Sequence, residues 1–254
     1  MPLAKRFAVL ILWLAVLTGL ASAEPCRRET FEDAAYIVCS FDLAKDDLRM
    51  FWRDGEGLPY KTFPALAEGL KAEGKTLAFA MNGGMYDEDF SPVGLYVEDV
   101  KELAPVNTKT VTGEPQDIPN FYKQPNGVFF VAGKTAGVMT TDAYLKAPPQ
   151  ARFATQSGPM LVIDGKIHPA FIEGSTDLKP RDGVGVSSPT MVHFAITEGR
   201  VNFFDFARFF RDVLGCPNAL FLDGGSAPGL YAPELERVDA PGHGGYGPII
   251  AVVK

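Results

Sequence analysis

Short apolar segments, mostly with a period of two, recur along the chain between turns that are rich in glycine and proline. Alternation of apolar and polar residues over about four to eight positions is typical of strands that bury one face. The pattern predicts nine strands, at residues 36–41, 48–52, 76–81, 93–97, 127–131, 160–163, 192–197, 219–222 and 248–253. We therefore expect a core built mainly from short strands.

Two segments have the period of a helix instead. In the first, Thr62 can cap the helix, Pro64 stands in its first turn, Leu66 and Leu70 share one face, and Gly74 ends it.

The second helix is predicted to begin after Asn202 as N-cap, with Asp205 in its first turn, and to end at Gly215. Its apolar residues recur at spacings of three and four: Phe203, Phe206, Ala207, Phe210, Val213 and Leu214. This aromatic stripe indicates a face packed in the core. Many strands with few helices, and no linker or internal repeat, predict a single α+β domain with a mixed, strand-rich sheet core and a few flanking helices.

Composition narrows the class of protein. The 254 residues are 46% hydrophobic, which is enough for a full-sized core, and the formal net charge is −7. No cluster of Lys and Arg lies outside the N-terminus, which argues against a protein that binds nucleic acid through its phosphates. An anionic ligand would have to be held by a few well-placed groups.

The N-terminus has the pattern of an export signal. Lys5 and Arg6 precede an apolar run at 7–20, and the small residues at 21–23 match a signal peptidase site. The run is shorter than the roughly 20 residues of a membrane-spanning helix, so we favour a cleaved signal over an uncleaved anchor. We thus expect a signal peptide at 1–23, a mature domain at 24–254 without a membrane span, and a periplasmic or secreted location.

Export permits disulfide bonds, and the chain has three cysteines. Cys26 follows the predicted cleavage site and Cys39 lies in a predicted strand, so a bridge between them would hold the N-terminal segment in place. Cys216, after the second predicted helix, is expected to remain a buried thiol.

Candidate ligand-binding residues lie in turns that follow apolar segments. Glycine in such turns lets backbone amides face a ligand, although the same dipeptides are common in ordinary turns. The candidate substrate-binding residues are Asn82, Gly83, Gly84, Ser157, Gly158, Gly224, Gly225 and Ser226.

The order of these motifs is more specific than any one of them. In sequence they are Asn82-Gly83-Gly84, Pro92 with Gly94, Asn126-Gly127, Ser157-Gly158-Pro159 before Asp164-Gly165, Pro180-Arg181 before Gly183 and Gly185, and Asp223-Gly224-Gly225-Ser226. Over roughly 76–253 the chain resembles the phosphodiester glycosidase family, which includes the lysosomal uncovering enzyme. The resemblance implies hydrolysis of a sugar from a phosphodiester at its anomeric carbon. The chain departs from the usual family pattern at Asp182-Gly183, where Thr-Ala is common, and at Ser226-Ala227, in place of a Gly-Ser-Ser run.

Glycoside cleavage needs negative charge near an oxocarbenium-like carbon and usually two carboxyl groups. Asp223, at a predicted strand end, is the leading carboxylate, with a turn cap as the structural alternative. A phosphate leaving group needs little protonation, so the fork of Arg181 could stabilise it directly, unless Arg181 is only a structural ion pair. The second carboxylate stays open: the acidic run 87–89 could supply it, could be an exposed loop, or could hold a divalent cation such as Ca²⁺. The sequence requires no cofactor.

Histidine is scarce. His243 lies in a glycine-rich loop before the last predicted strand and could reach a cleft as a general acid or base. His193 falls in a strand pattern and is expected to be structural. No HExxH motif occurs, and neither Ser157 nor Ser226 lies in a GxSxG motif, which disfavours zinc proteases and serine hydrolases.

These observations favour an exported glycosidase that hydrolyses a sugar-1-phosphodiester in an envelope or extracellular glycan, such as an exopolysaccharide, a teichoic-type polymer or a lipid-linked glycan. The alternative is a non-catalytic envelope protein that binds carbohydrate or sugar phosphate. Asn82, Arg181 and Asp223 are expected to converge on one cleft, because turns after strands of one sheet can share an edge.

Overall fold

The computed structural model describes residues 24–114 and 116–254, so the predicted signal peptide lies outside the described residues. The strands are β1 (Cys26–Phe31), β2 (Ala34–Asp42), β3 (Asp47–Phe51), β4 (Leu77–Asn82), β5 (Tyr96–Glu98), β6 (Lys101–Ala104), β7 (Gly127–Ala132), β8 (Thr135–Thr140), β9 (Phe153–Ser157), β10 (Met160–Ile163), β11 (Lys166–Ile167), β12 (Arg181–Ser188), β13 (Met191–Thr197), β14 (Asn218–Gly224), β15 (Leu230–Ala232), β16 (Arg237–Val238) and β17 (Ile249–Val253). The α-helices are α1 (Phe63–Ala72), α2 (Thr141–Lys146) and α3 (Phe203–Arg208).

The strands form three sheets in the described part of the chain. A seven-stranded sheet has the order β1-β2-β13-β12-β14-β10-β11, and two five-stranded sheets have the orders β16-β15-β4-β17-β3 and β6-β5-β9-β7-β8. The main hydrophobic cluster draws residues from all three, including Phe41, Phe79, Phe129 and Phe194. The predicted α+β fold with few helices is confirmed.

The mixed character of the predicted sheet is wrong. The strand pairs of the three sheets are antiparallel, as in β1–β2, β7–β8 and β12–β13. These neighbours follow one another through short turns, whereas parallel neighbours need a long crossover connection. No helix of the described ranges is long and apolar enough to cross a bilayer.

Both predicted helices are present with their predicted caps. The Thr62 hydroxyl accepts the Ala65 N–H at 3.2 Å, and the Asn202 side-chain oxygen accepts the Asp205 N–H at 2.8 Å. The second helix continues from α3 as a π-helical turn at Phe209–Val213. Its aromatic residues pack into a buried cluster with Tyr36, as the stripe predicted, whereas Val213 of the same stripe is exposed.

The disulfide prediction is confirmed. Cys26 and Cys39 are paired across β1 and β2 and are joined by an S–S bond, while Cys216 is a buried free thiol. The N-terminal strand is therefore fixed covalently to the seven-stranded sheet.

Strand β12 was not predicted, because its glycines hide the apolar period. A Cβ atom at Gly183 would lie 2.8 Å from the Leu220 carbonyl oxygen, and one at Gly185 would lie 2.7 Å from Cys216 Sγ. The strand therefore needs glycine where it lies beside β14 and packs against Cys216 in the segment after α3. It also places Arg181 and Asp182 at the start of a strand rather than in a loop.

Candidate active site

A cleft of about 580 Å³ lies beside the end of one strand of the seven-stranded sheet. Asp223 and Gly224, at the end of β14, form part of its wall. The residues after β4 and the 3₁₀ turn at Asn120–Tyr122 supply much of the rest. Among the described residues, the lining set is Met85, Tyr86, Asp87, Glu88, Phe90, Val93, Pro119, Phe121, Tyr122, Asp223, Gly224, Ala227 and His243.

Asp223 is half-buried and faces this cleft. Burial raises the pKa of Asp223 from its ordinary value of 3.8 to about 7, although the Gly224 N–H, donated to its carboxylate at 2.7 Å, opposes the shift. A carboxyl group with a pKa near neutrality can exchange a proton with a substrate or with water at physiological pH.

Asp182 is a second carboxyl group directly behind the first. Asp182 and Asp223 are partners across β12 and β14, and the Asp182 Oδ1 atom accepts the Asp223 backbone N–H at 2.8 Å. Asp182 is fully buried, and burial together with the negative charge of Asp223 raises the pKa of Asp182 well above its ordinary value. The pair therefore carries fewer than two negative charges at neutral pH.

Sequence reasoning did not select Asp182 as a site residue. The sequence signal was its position beside Arg181, at a point where the chain departs from the usual family pattern. The acidic run 87–89 was considered for the second carboxylate instead. Asp87 and Glu88 do line the cleft, whereas the Asp89 carboxylate is used locally by the Ser91 N–H and hydroxyl.

Asn82 lies behind the carboxyl pair rather than in the cleft. It is fully buried, and its Oδ1 atom accepts the Gly229 N–H at 2.9 Å. Its Nδ2 atom and the Asp182 Oδ2 atom are both buried without a hydrogen-bond partner, and the amide lies close enough to lower the pKa of Asp182. Asn82 thus contributes to the surroundings of Asp182.

The structure overturns the expected position of Arg181. Its side chain is 1% exposed and points away from the cleft, with Nε donating to the Val201 carbonyl at 2.8 Å and a terminal nitrogen donating to the Asp177 carbonyl at 3.1 Å. The guanidinium lies 3.6 Å from the ring centre of Phe203. Successive residues of a strand point to opposite faces, so β12 directs Asp182 toward Asp223 and Arg181 toward α3.

The glycine turns are less available to a ligand than the sequence suggested. The Gly83 N–H donates to the Pro248 carbonyl at 2.7 Å, the Gly224 N–H to Asp223, and the Gly225 N–H to the Pro180 carbonyl at 3.1 Å. Gly84 has a φ of +128°, and a Cβ atom there would lie 3.0 Å from Thr155 Oγ1. These glycines allow strand ends to pack closely.

Ser157 and Gly158 also have packing roles. Ser157 is buried, and its hydroxyl donates to the Leu222 carbonyl at 2.8 Å, which joins β9 to β14 just before Asp223. A Cβ atom on Gly158 would lie 2.6 Å from Asn126 Cβ. Both residues support the site from behind.

His243 lines the cleft, and its Nε2 atom lies 2.6 Å from the hydroxyl of the exposed Ser226, which is not itself among the lining residues. The predicted position of His243 near a cleft is therefore confirmed, and its role there stays a prediction. His193 is structural as expected: its ring nitrogens lie 2.8 Å from the hydroxyls of Ser40 and Ser187, and burial lowers its pKa to about 4.

Aromatic side chains line one side of the cleft. Tyr86 and Phe90 are stacked with ring centres 5.8 Å apart, and Phe121 and Tyr122 lie on the neighbouring 3₁₀ turn. The Tyr86 hydroxyl donates to the Gly245 carbonyl at 2.7 Å, which fixes the ring. Fixed aromatic rings beside carboxyl groups can bind the apolar face of a sugar ring.

No group of three or more His, Cys, Asp or Glu side chains within 24–114 and 116–254 is arranged to hold a metal ion. The Ca²⁺ site considered at 87–89 stays a prediction.

Residues 75–250 match the model of the phosphodiester glycosidase family. The chain belongs to this family. A curated relative, the uncharacterised protein YigE of Escherichia coli (strain K12), is 35% identical over 177 residues, which are 70% of this chain and 66% of that protein. The matched segment contains each of the glycine turns described above.

Solved structures share the fold of this phosphodiester glycosidase domain. The catalytic domain of zebrafish N-acetylglucosamine-1-phosphodiester alpha-N-acetylglucosaminidase, auto-inhibited by its pro-peptide, aligns with a TM-score of 0.59 at 14% identity and covers 89% of this chain and 81% of its own. A hypothetical protein from Synechocystis aligns with a TM-score of 0.54 at 14% identity, over 90% of this chain and 61% of its own.

Proposed function

We propose that this phosphodiester glycosidase family member is an exported enzyme that hydrolyses a sugar-1-phosphodiester linkage in an envelope or extracellular glycan. The observation that carries the proposal is the carboxyl pair: Asp223 faces an aromatic-lined cleft with a pKa of about 7, and Asp182 holds its backbone from behind. This is an arrangement suited to proton transfer beside a bound sugar.

In the proposed reaction, the Asp223 carboxylate accepts a proton from a water molecule as the water oxygen bonds to the anomeric carbon. The bond between that carbon and the bridging oxygen breaks, and its electron pair leaves with the phosphate monoester. Phosphate is stable as an anion, with a second pKa near 6, so the leaving group needs little protonation. The negative charge of Asp223 also favours an oxocarbenium-like transition state.

The phosphate end of the substrate is assigned to the Ser226–His243 side of the cleft. Arg181 points elsewhere, and no Lys or Arg is among the described lining residues. His243 and Ser226 are the exposed polar groups there that can donate hydrogen bonds to anionic oxygen. His243→Gln is therefore expected to lower kcat/KM for a sugar phosphodiester more than for an aryl glycoside of the same sugar.

One sequence feature and one structural feature support export to an oxidising location. The basic residues, apolar run and small residues of 1–23 match a signal peptide, and the Cys26–Cys39 bridge is of a kind that persists outside the cytoplasm. Fractionation of cells that express the full chain should place the protein outside the cytoplasm. Retention of the protein in the cytoplasm with Cys26 and Cys39 reduced would contradict the exported location.

The decisive experiment measures sugar release from a panel of sugar-1-phosphodiesters, beginning with the methyl diester of N-acetylglucosamine 1-phosphate. That linkage appears in the name of the zebrafish protein of the same fold. Turnover by the wild type that falls about 10²- to 10⁴-fold in Asp223→Asn supports the proposal, because the change keeps the side-chain shape and removes the base. Glu102→Gln, a change of an exposed carboxylate outside the cleft lining, is the matched control.

The alternative is a protein that binds sugar phosphates without turnover. Calorimetry with the same panel separates the two functions. Saturable binding without product over the whole panel would replace the enzyme with the binding protein. Turnover unchanged in Asp223→Asn would keep an enzyme but exclude the proposed mechanism.

A further inference from the structure

A second cavity, of about 440 Å³, lies on the other side of the segment 116–124. Phe121 and Tyr122 of this segment line the cleft, whereas Lys123 and Gln124 line the second cavity. Asp223 and His243 do not belong to its lining, so it is distinct from the candidate active site.

One wall of the cavity is a column of stacked groups. His168 stacks on Phe171 with 4.7 Å between ring centres, Phe171 stacks on Phe203 at 4.8 Å, and the Arg181 guanidinium lies 3.6 Å from the centre of Phe203. Stacking occupies the ring faces, so the cavity is left with ring edges. Edges of aromatic rings carry partial positive charge, which suits an apolar ligand that is also anionic.

The charges around the cavity point to the same kind of ligand. The Asp177 carboxylate is paired with Lys179 at 3.0 Å and with Arg181 at 3.5 Å. Lys123 has no such partner among the described residues: its Nζ atom donates to the neutral Asn120 Oδ1 at 3.0 Å. The cavity therefore contains one half-buried ammonium group without a direct ion pair, and the Asp177 carboxylate that also lines the cavity is already paired with Lys179 and Arg181.

His168 is not free to serve a ligand. Its Nε2 atom lies 3.0 Å from the Gln124 carbonyl oxygen, and its Nδ1 atom accepts the Ala170 N–H at 3.1 Å. Ile172, which is 72% exposed, adds apolar surface at the mouth. Lys123 therefore favours a negatively charged ligand, and the apolar lining residues favour a ligand that also carries an apolar group.

We propose that this second cavity binds a small amphipathic anion, a phosphate or carboxylate joined to an apolar group, with Lys123 on the anion and Phe171, Phe203 and Ile172 around the apolar part. The site is separate from the cleft and does not depend on the proposed glycosidase reaction.

The test uses two dyes of similar shape. 8-Anilinonaphthalene-1-sulfonate carries a sulfonate, and N-phenyl-1-naphthylamine lacks it. In fluorescence titrations of the folded mature protein, the anionic dye is expected to bind more tightly than the neutral dye. Lys123→Met should weaken the anionic dye at least about fivefold and change the neutral dye less than about twofold.

Two further variants keep the result interpretable. Ile172→Glu places a negative charge at the exposed mouth without touching the core and should also weaken the anionic dye. Lys109→Met removes a lysine that lies over the Tyr122 ring and does not line the second cavity, and should leave dye binding unchanged. Displacement of the dye by octyl phosphate but not octanoate would identify a phosphate site, and the reverse a carboxylate site.

Several results would overturn the assignment. For the wild type, these are the absence of saturable dye binding, equal affinity for the two dyes, and failure of both octyl compounds to displace the dye. For the variants, they are unchanged Kd values in both Lys123→Met and Ile172→Glu, and a loss of affinity in Lys109→Met equal to that in Lys123→Met.

Discussion

Asp182 accepts the backbone N–H of Asp223 across two neighbouring strands, at 2.8 Å. The bond fixes the strand end that carries the half-buried, cleft-facing carboxyl group of the pair. Because this hydrogen bond is to the backbone of Asp223, Asp182 positions that residue and does not itself line the cleft. The two aspartates therefore have different roles although they are direct neighbours.

Replacement of Asp182 should separate its shape from its charge. Asp182→Asn keeps an acceptor oxygen and resembles the neutral acid that the raised pKa of Asp182 favours, so we expect kcat within about threefold of wild type. Asp182→Leu leaves the buried Asp223 N–H without a partner, which should cost about 1–3 kcal/mol of unfolding free energy and lower kcat at least tenfold. Urea unfolding and turnover assays check both. If the Asn variant were as inactive as the Leu variant, the proton of Asp182 would take part directly.

The pH dependence of activity should follow Asp223. As the proposed base it must be ionised, so kcat/KM should rise with pH through about 7, the pKa that burial gives this group. Asp182→Leu should shift the pH at which kcat/KM rises, because the variant changes the surroundings of Asp223. A pH–rate profile measured on a sugar phosphodiester checks the prediction. A limb that descends through pH 7 would instead make Asp223 the general acid.

The contribution of Asp223 to stability should fall as the pH rises, whereas the activity should increase. The pKa of Asp223 is higher in the folded protein than its ordinary value of 3.8, so the folded state binds the proton more tightly between about pH 4 and pH 7. The contribution of this group is fully present below pH 4 and is lost as the pH rises through about 7. Asp223→Asn should therefore gain stability relative to wild type as the pH increases over that range. A pH-independent difference in urea unfolding would show that burial does not raise this pKa.

Arg181 should prove structural. Arg181→Met keeps much of the side-chain volume but loses the bonds to the carbonyls of Val201 and Asp177, so we expect a loss of about 2–4 kcal/mol in unfolding free energy. Folded Arg181→Met should lose activity equally on phosphodiesters and aryl glycosides. Lys179→Met, which removes the exposed partner of Asp177, should change stability by less than about 1 kcal/mol. A selective loss on phosphodiesters at unchanged stability would restore Arg181 as a phosphate ligand.

The disulfide should contribute to stability by restricting the unfolded chain. Cys26 and Cys39 are 13 positions apart, and a loop of this size corresponds to about 3 kcal/mol at most. The double variant Cys26→Ser, Cys39→Ser should lose about that amount, and dithiothreitol should destabilise the wild type but not the double variant. Cys216→Ala is the control, since its thiol is not bridged. An equal response of wild type and double variant to reductant would contradict the prediction.

The helices and strands were predicted best where local sequence signals and the pattern of burial agree. Thr62 and Asn202 cap their helices as expected because a cap depends on residues within one turn. Strand β10 was predicted with its observed bounds, since all four of its residues are apolar. The short helix α2 was missed, as it has few residues in which a period can be seen.

The site was harder to predict, because it depends on which face of a strand each residue occupies. Arg181 and Asp182 are adjacent in sequence and point to opposite sides of β12, so the motif alone could not identify which of them lies beside Asp223. Gly183 and Gly185 hid the alternation that marks a strand. Asp223 was placed correctly because an apolar run leads directly to it.

The bonds behind Asp223 join all three sheets. Asn82 accepts the Gly229 N–H, 147 positions away. The Ser157 hydroxyl donates to the Leu222 carbonyl, 65 positions away. The Thr155 hydroxyl donates to the Gly83 carbonyl, 72 positions away. Contacts between such distant residues form slowly, because long loops must close first. Enzymatic activity should thus be the last property to return when the unfolded chain is diluted from denaturant, after the far-ultraviolet signal of the individual sheets.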